Sequence, residues 1–158
     1  MGRFVLSKGH RNIAYVGAEA GAAGMGNVRQ EGFKAALLDA GSHFVTEEVL
    51  VDRPNFYAGF YGTENVLNRV REIDAIYYQD DTMAVGGLFY CKSKGLKAPG
   101  DIGIAGWGGM EITSVLPERL TTTTVTTQAL GKTAAESLVA RIRGEPVQDV
   151  TVAATRLV

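Results

Sequence analysis

The stretch Asp101-Ile-Gly-Ile-Ala-Gly-Trp-Gly-Gly109, followed closely by Pro117-Glu-Arg-Leu-Thr-Thr122, decides how this chain folds. A short apolar run, residues 102–105, stops abruptly in glycines. That is the pattern of a buried parallel strand opening into a loop at the carboxyl edge of a sheet. Ligands of open α/β sheets bind beside such edges, so the turn at 106–109 marks a binding crevice.

Outward from this turn, β-like runs alternate with amphipathic segments in both directions. Residues 13–16 form a strand that stops at Gly17, and a glycine- and alanine-rich loop follows at 18–26. Residues 27–40 predict a helix with Phe33, Ala36, Leu37 and Ala40 on one stripe and Gly41 as its stop. A strand at 49–51 is followed by Pro54-Asn55, which opens a helix carrying Val66, Leu67, Val70 and Ile73 on its apolar side. A third strand at 75–78 leads into Asp80-Asp81, which caps a helix from Thr82 to about Ser93. Gly95 ends that helix and Pro99 prevents a restart. This order predicts an α/β fold, a parallel sheet flanked by helices on both faces with right-handed crossovers. The tail differs: a threonine-rich strand at 120–125, a helix at 128–142 with Leu130, Ala134, Leu138 and Ile142 on one side, and a last strand at 150–158. That helix has a wide apolar face that needs a partner surface.

Composition bounds the function classes. At 158 residues the chain is one domain, with 46% hydrophobic and 21% charged residues, and it can bury a real core. A formal net charge of −1 argues against a direct grip on a nucleic-acid backbone. The lone Cys91 excludes an intrachain disulfide, fits a reducing compartment, and sits on an apolar helix face with Ala84 and Leu88 as an inert core residue. The first ten residues are too short and polar for a signal peptide, and no apolar run reaches the length of a membrane span. Cytoplasmic localisation without membrane contact is therefore expected. His10 and His43 lie far apart with no neighbouring cysteine or carboxylate cluster, so neither a metal nor another cofactor is expected. The loop at 17–26 lacks the Lys-Ser/Thr of a P-loop and is a poor dinucleotide fingerprint. No Ser-His-Asp order with elbow glycines appears, and no catalytic residues are assigned.

Five segments, in order, resemble the effector-binding core of LacI/GalR-type transcriptional regulators: Lys8-Gly-His-Arg-Asn-Ile-Ala-Tyr-Val-Gly17, Arg29-Gln-Glu-Gly-Phe-Lys-Ala-Ala-Leu37, Asp80-Asp-Thr-Met-Ala-Val-Gly-Gly-Leu88, the Asp101–Gly109 stretch, and Leu120-Thr-Thr with Leu130-Gly-Lys-Thr-Ala-Ala-Glu-Ser-Leu138. The Asp-Asp pair and Gly-Trp-Gly-Gly are most similar to gluconate-operon repressors. The resemblance implies one lobe of a type I periplasmic-binding-protein-like fold. Residues 11–119 and 148–158 would form the C-terminal subdomain. Residues 120–147 would be the crossover strand and helix that pack in an N-terminal subdomain. No helix-turn-helix, hinge helix or most of that N-terminal subdomain is found in residues 1–158, so the chain is expected to be a truncated effector-binding domain.

The resemblance also assigns residues. Arg29, at the start of its helix, is on its own either a solvated side chain or a ligand contact; its planar fork suits vicinal hydroxyls or a carboxylate. The matching arginine of the family contacts the effector. Asp80 stands where the family usually has an asparagine that binds sugar hydroxyls; aspartate keeps the acceptors and loses the donor. Asp81 is read mainly as a capping and structural residue. Gly108 replaces an aspartate that many sugar-responsive members use, which removes repulsion towards an anionic ligand; a tight turn needing glycine is the competing reading. Trp107 packs under the loop or sits on its rim. Asn55 and Phe56, with Tyr57, lie where the family places an aromatic over the sugar, core burial being the alternative for Phe56. The leading expectation is a non-enzymatic effector-sensing and dimerising portion of a LacI-type repressor. Its effector would be a sugar or a sugar acid such as gluconate, its partner a second copy, and operator DNA would be reached only through the headpiece. The alternative is a lobe of a periplasmic sugar-binding protein of a transporter.

Overall fold

The computed structural model describes residues 1–19, 25–51, 54–118, 120–125, 127–151 and 155–158. Four strands, β1 (Ile13–Ala18), β2 (Phe44–Leu50), β3 (Ala75–Tyr78) and β4 (Gly103–Ala105), pair in parallel in the order β2-β1-β3-β4. The expected parallel α/β sheet is present. β2 is longer than the 49–51 read from the sequence and ends before the exposed Val51. It is an edge strand with one half-wet face, so Thr46, Glu47 and Glu48 interrupt the apolar run that marks the central strands.

Period-2 alternation divides the core. Ala14, Val16, Ile76, Tyr78 and Ile104 point to one face, covered by α3 (Phe56–Arg69) and α4 (Asp81–Ser93). Ile13, Tyr15, Ala75, Tyr77 and Ala105 point to the other, covered by α1 (Gly2–Ser7) and α2 (Met25–Leu38). On this second face Phe33 of α2 stacks on Tyr77 at 4.3 Å and on Phe44 at 5.2 Å. Phe33 and Leu37 of the predicted stripe are buried, whereas Ala40 lies past the helix and is exposed. The α3 and α4 backbones touch: a Cβ at Gly59 would overlap the Met83 carbonyl, and one at Gly86 the Phe56 carbonyl. Cys91 is buried in the first core, where burial pushes its thiol pKa up to about 11. α1 and the short α5 (Ile112–Val115) are absent from the sequence reading.

Past β4 the chain continues the sheet through isolated parallel bridges, Ala105 to Thr121 and Gly108 to Thr124. β5 (Thr123–Val125) pairs antiparallel with β6 (Thr155–Leu157), and Thr122 exchanges two backbone hydrogen bonds with Val158. The last strand is thus shorter than the predicted 150–158, of which residues 152–154 lie outside the described set. Between β5 and β6 runs α6 (Thr127–Ile142), with no buried residue among those described. No described helix is long and apolar enough to cross a membrane.

Candidate functional site

Strand direction and connection order bring four of the predicted residues to one sheet edge. β1, β3 and β4 all end there. From β1 the chain runs towards α2, from β3 into Gln79-Asp80-Asp81, and from β4 into residues 106–110. Arg29 lies at the second turn of α2, because that helix begins at Met25 rather than at the expected residue 27. Its guanidinium Cζ sits 4.0 Å from the Trp107 ring centroid, so the indole face supports the cation. Arg29 Nε is buried and has no hydrogen-bond partner among the described residues. Trp107 is half-buried and bears the guanidinium on its ring face. A buried donor without an acceptor carries a desolvation cost of about 1–3 kcal/mol, more for a charged group, which a ligand oxygen would remove.

Asp80 is the N-cap of α4: its Oδ1 accepts from the Met83 amide at 2.9 Å. Burial raises its pKa above the ordinary carboxylate value, opposed by the Met83 hydrogen bond and then by the nearby Arg29 charge. Tyr15 and Tyr77 lie on the same face of the sheet, both raised by burial, Tyr77 to about 12; the Arg29 charge pulls each the other way. These phenols stay neutral near pH 7 and can donate as well as accept.

Gly108 has φ +131°, a conformation that L side chains rarely adopt, which fits the competing reading of a turn that requires glycine. A Cβ there would stand 3.5 Å from Asp81 Oδ2. Of the capping and structural roles expected of Asp81, the cap falls to Asp80 and Asp81 keeps the structural one. It is fully buried; Oδ2 accepts from the Met110 amide at 2.9 Å and Oδ1 from the Thr122 hydroxyl at 2.6 Å. Its own amide donates to the Trp107 carbonyl at 3.0 Å.

Asn55 and Phe56 begin α3, which flanks the opposite face of the sheet from α2. Asn55 Oδ1 caps that helix by accepting from the Ala58 amide at 2.7 Å. Phe56 is 44% exposed, so core burial, the competing reading, is excluded. The sequence reading missed Gln79, a buried side chain whose Oε1 accepts from the Ala18 amide at 2.8 Å and holds the end of β1. It also missed Thr122, buried within a threonine run whose inward positions the composition does not distinguish. Residues 20–24 of the glycine-rich loop are outside the described set. No group of three or more potential metal ligands occurs among the described residues.

Residues 3–158 match the family of periplasmic binding protein-like domains. The HTH-type transcriptional regulator GntR of Escherichia coli K12 is 37% identical over 146 residues, covering 90% of this chain and 42% of the regulator. A LacI-family transcriptional regulator from Silicibacter pomeroyi superposes with a TM-score of 0.88 at 27% identity, over 100% of this chain and 48% of that one. The transcription regulator GntR from Chromobacterium violaceum superposes with a TM-score of 0.89 at 24% identity, over 99% and 58%. The chain thus spans about two fifths of the length of the curated relatives it matches. With its parallel sheet and a family model that matches residues 3–158, the chain belongs to the periplasmic binding protein-like domain family, in the form carried by LacI-type transcriptional regulators.

Proposed function

We propose that this chain is the effector-sensing and dimerising portion of a LacI-type transcriptional repressor, working in the cytoplasm, with a sugar acid as its effector. The observation that carries this reading is the Arg29 guanidinium, held over Trp107 with a buried, unpartnered Nε at the carboxyl edge of the sheet. Its charge is felt by Asp80 at the same sheet edge, where Gly108 carries no side chain. A carboxylate satisfies the guanidinium by charge-assisted hydrogen bonds. Asp80, as an acceptor, takes the hydroxyls, and the glycine adds no negative charge against the acid. Asn55 and the exposed Phe56, at the start of α3 after β2, would reach the effector from the other face of the sheet.

The mechanism is lobe closure. The effector bridges this lobe, residues 11–119 and 148–158, and a second lobe in which residues 120–147 take part, and it biases their relative orientation. Operator DNA is engaged by the headpiece of the intact regulator, and the functional unit is a homodimer. The chemistry is binding alone; the relatives are regulators and not enzymes.

Isothermal calorimetry on the intact regulator, comparing gluconate with glucose, tests this. Gluconate is expected to bind more tightly, and Arg29→Ala to cost about 2–5 kcal/mol of that affinity, as for a truncated buried charge pair. Equal affinities of wild type and Arg29→Ala would remove Arg29 from the site.

A further inference from the structure

We infer that Asp81 and Thr122 form a positioning relay that fixes the Trp107 loop to the two strands leading to and from α6. Asp81 is wholly buried, forms no ion pair among the described residues, and spends both carboxylate oxygens on this junction. Oδ2 holds Met110 of the loop, and Oδ1 holds the hydroxyl of Thr122, which is equally buried. The same hydroxyl accepts from the Gly109 amide at 3.3 Å. The loop is joined by backbone as well to β5 and the residues leading into it, the Gly106 amide donating to Thr121 and the Gly108 amide to Thr123, both at 2.9 Å. Thr122 in turn exchanges two 2.9 Å hydrogen bonds with Val158 beyond β6.

The side chains around Asp81 are cut away to admit this contact. A Cβ at Gly106 would overlap Asp81 Oδ1, and one at Gly109 would stand 2.6 Å from the Thr124 side chain of β5. A hydrophobic pair would pack here at less desolvation cost. A carboxylate instead sets direction, because each oxygen accepts only along defined lines. The start of α4, the loop bearing Trp107 and both crossover strands therefore move as one body. The orientation of the α6 arm and the position of the indole beneath Arg29 become two readings of one geometry. The consequence for ligand affinity rests on the proposed seat at Arg29; the coupling itself does not.

Trp107 is the single tryptophan of the sequence, so its fluorescence reports this loop alone. Thr122→Val keeps the shape and deletes the hydroxyl, leaving Asp81 Oδ1 and the Gly109 amide without their partner. In the 158-residue chain, without ligand, this variant is expected to show red-shifted Trp107 emission and stronger acrylamide quenching. The amides of Thr122 and Val158 are expected to exchange faster. Thr122→Ser restores the hydroxyl and is expected to restore all three. A residue with a merely structural role would lower the unfolding midpoint and leave the emission of the folded protein unchanged; that result, or failure of serine to rescue, overturns the inference. If Thr122→Val does not fold, Asp81→Asn carries the test, since its amide can accept at one oxygen only: shifted emission supports the relay and unshifted emission refutes it. Because no ligand enters these measurements, loss of the gluconate result would leave them standing.

Discussion

The lobe and the arm of this molecule are built to different rules. In the lobe, every residue of β1 and β3 is buried, and two apolar clusters sandwich the sheet. In the arm, α6 carries Leu130, Leu138, Val139 and Ile142 with 51%, 60%, 45% and 76% of their surface exposed. Its companions are residues 147–150, which line a groove with Leu130, Ala134 and Leu138. An apolar stripe of this width on a soluble helix marks a surface made for something else. Of the three fates open to the helix when the 158-residue chain stands alone (pairing with a second copy, exchange between copies, or folding back onto its own lobe) the structure does not adopt the last, since no described residue of α6 is buried.

The largest expected effect tests the contrast directly. Leu37 is fully buried in the second core, so Leu37→Ala should cost about 2–5 kcal/mol of stability through lost burial and a residual cavity. Leu138→Ala, the same chemical change on the arm, should stay within about 0.5 kcal/mol when measured at a dilution where the chain is monomeric, as surface substitutions do. Urea unfolding of both variants measures the difference. A comparable loss in each would show that the arm is packed in solution.

Association is the next discriminator. Each Leu or Ile left in water forgoes roughly 1.5–3 kcal/mol of burial, which favours self-association through α6. Sedimentation velocity should show the wild type forming dimers and Leu130→Glu/Leu138→Glu shifted to monomer, with the unfolding midpoint of the lobe unchanged. A monomeric wild type unaffected by the substitutions would mean that the stripe drives nothing. A dimer that survives them would place the interface elsewhere, for instance among the exposed Phe56, Tyr57, Tyr61 and Phe89 of α3 and α4.

What the sequence made legible follows the same division. β3 was readable to the residue because Ala75 to Tyr78 is buried on both faces and bounded by polar residues. β2 was not, because an edge strand mixes Glu47 and Glu48 into its run, where they pair with Lys34 and Arg69. Six residues of α1 and four of α5 are too few to show a period. That Arg29, Asp80, Trp107 and Gly108 gather at one sheet edge was legible because each lies in a motif after a strand end, and topology brings strand ends to one edge. The partners of Asp81 were not legible. Thr122 lies 41 residues away, and which threonine of a run turns inward is fixed only by pairing with β4 and with Val158.

The contrast between interior and surface recurs inside the lobe, at the ligand edge, and gives the smallest effect. Asp80 caps α4 but is partly buried, and that burial raises its pKa. A carboxyl group whose folded pKa exceeds its unfolded value of 3.8 binds its proton more tightly in the native state. Its contribution to stability is therefore most favourable below that unfolded value and declines as pH rises through the folded one, after which the penalty is constant. Asparagine caps about as well and does not titrate. Asp80→Asn should thus become progressively more stable relative to wild type as pH rises above the unfolded value, and the gain should level off above the folded one. Asp80→Ala, which also loses the cap, should be less stable than Asp80→Asn by about 0.5–2 kcal/mol at every pH. Urea unfolding across that range separates the two effects. A wild-type advantage over Asp80→Asn that grows with pH would mean that Arg29 outweighs burial, and that the edge holds its carboxylate as a paired ion and not at a cost to stability.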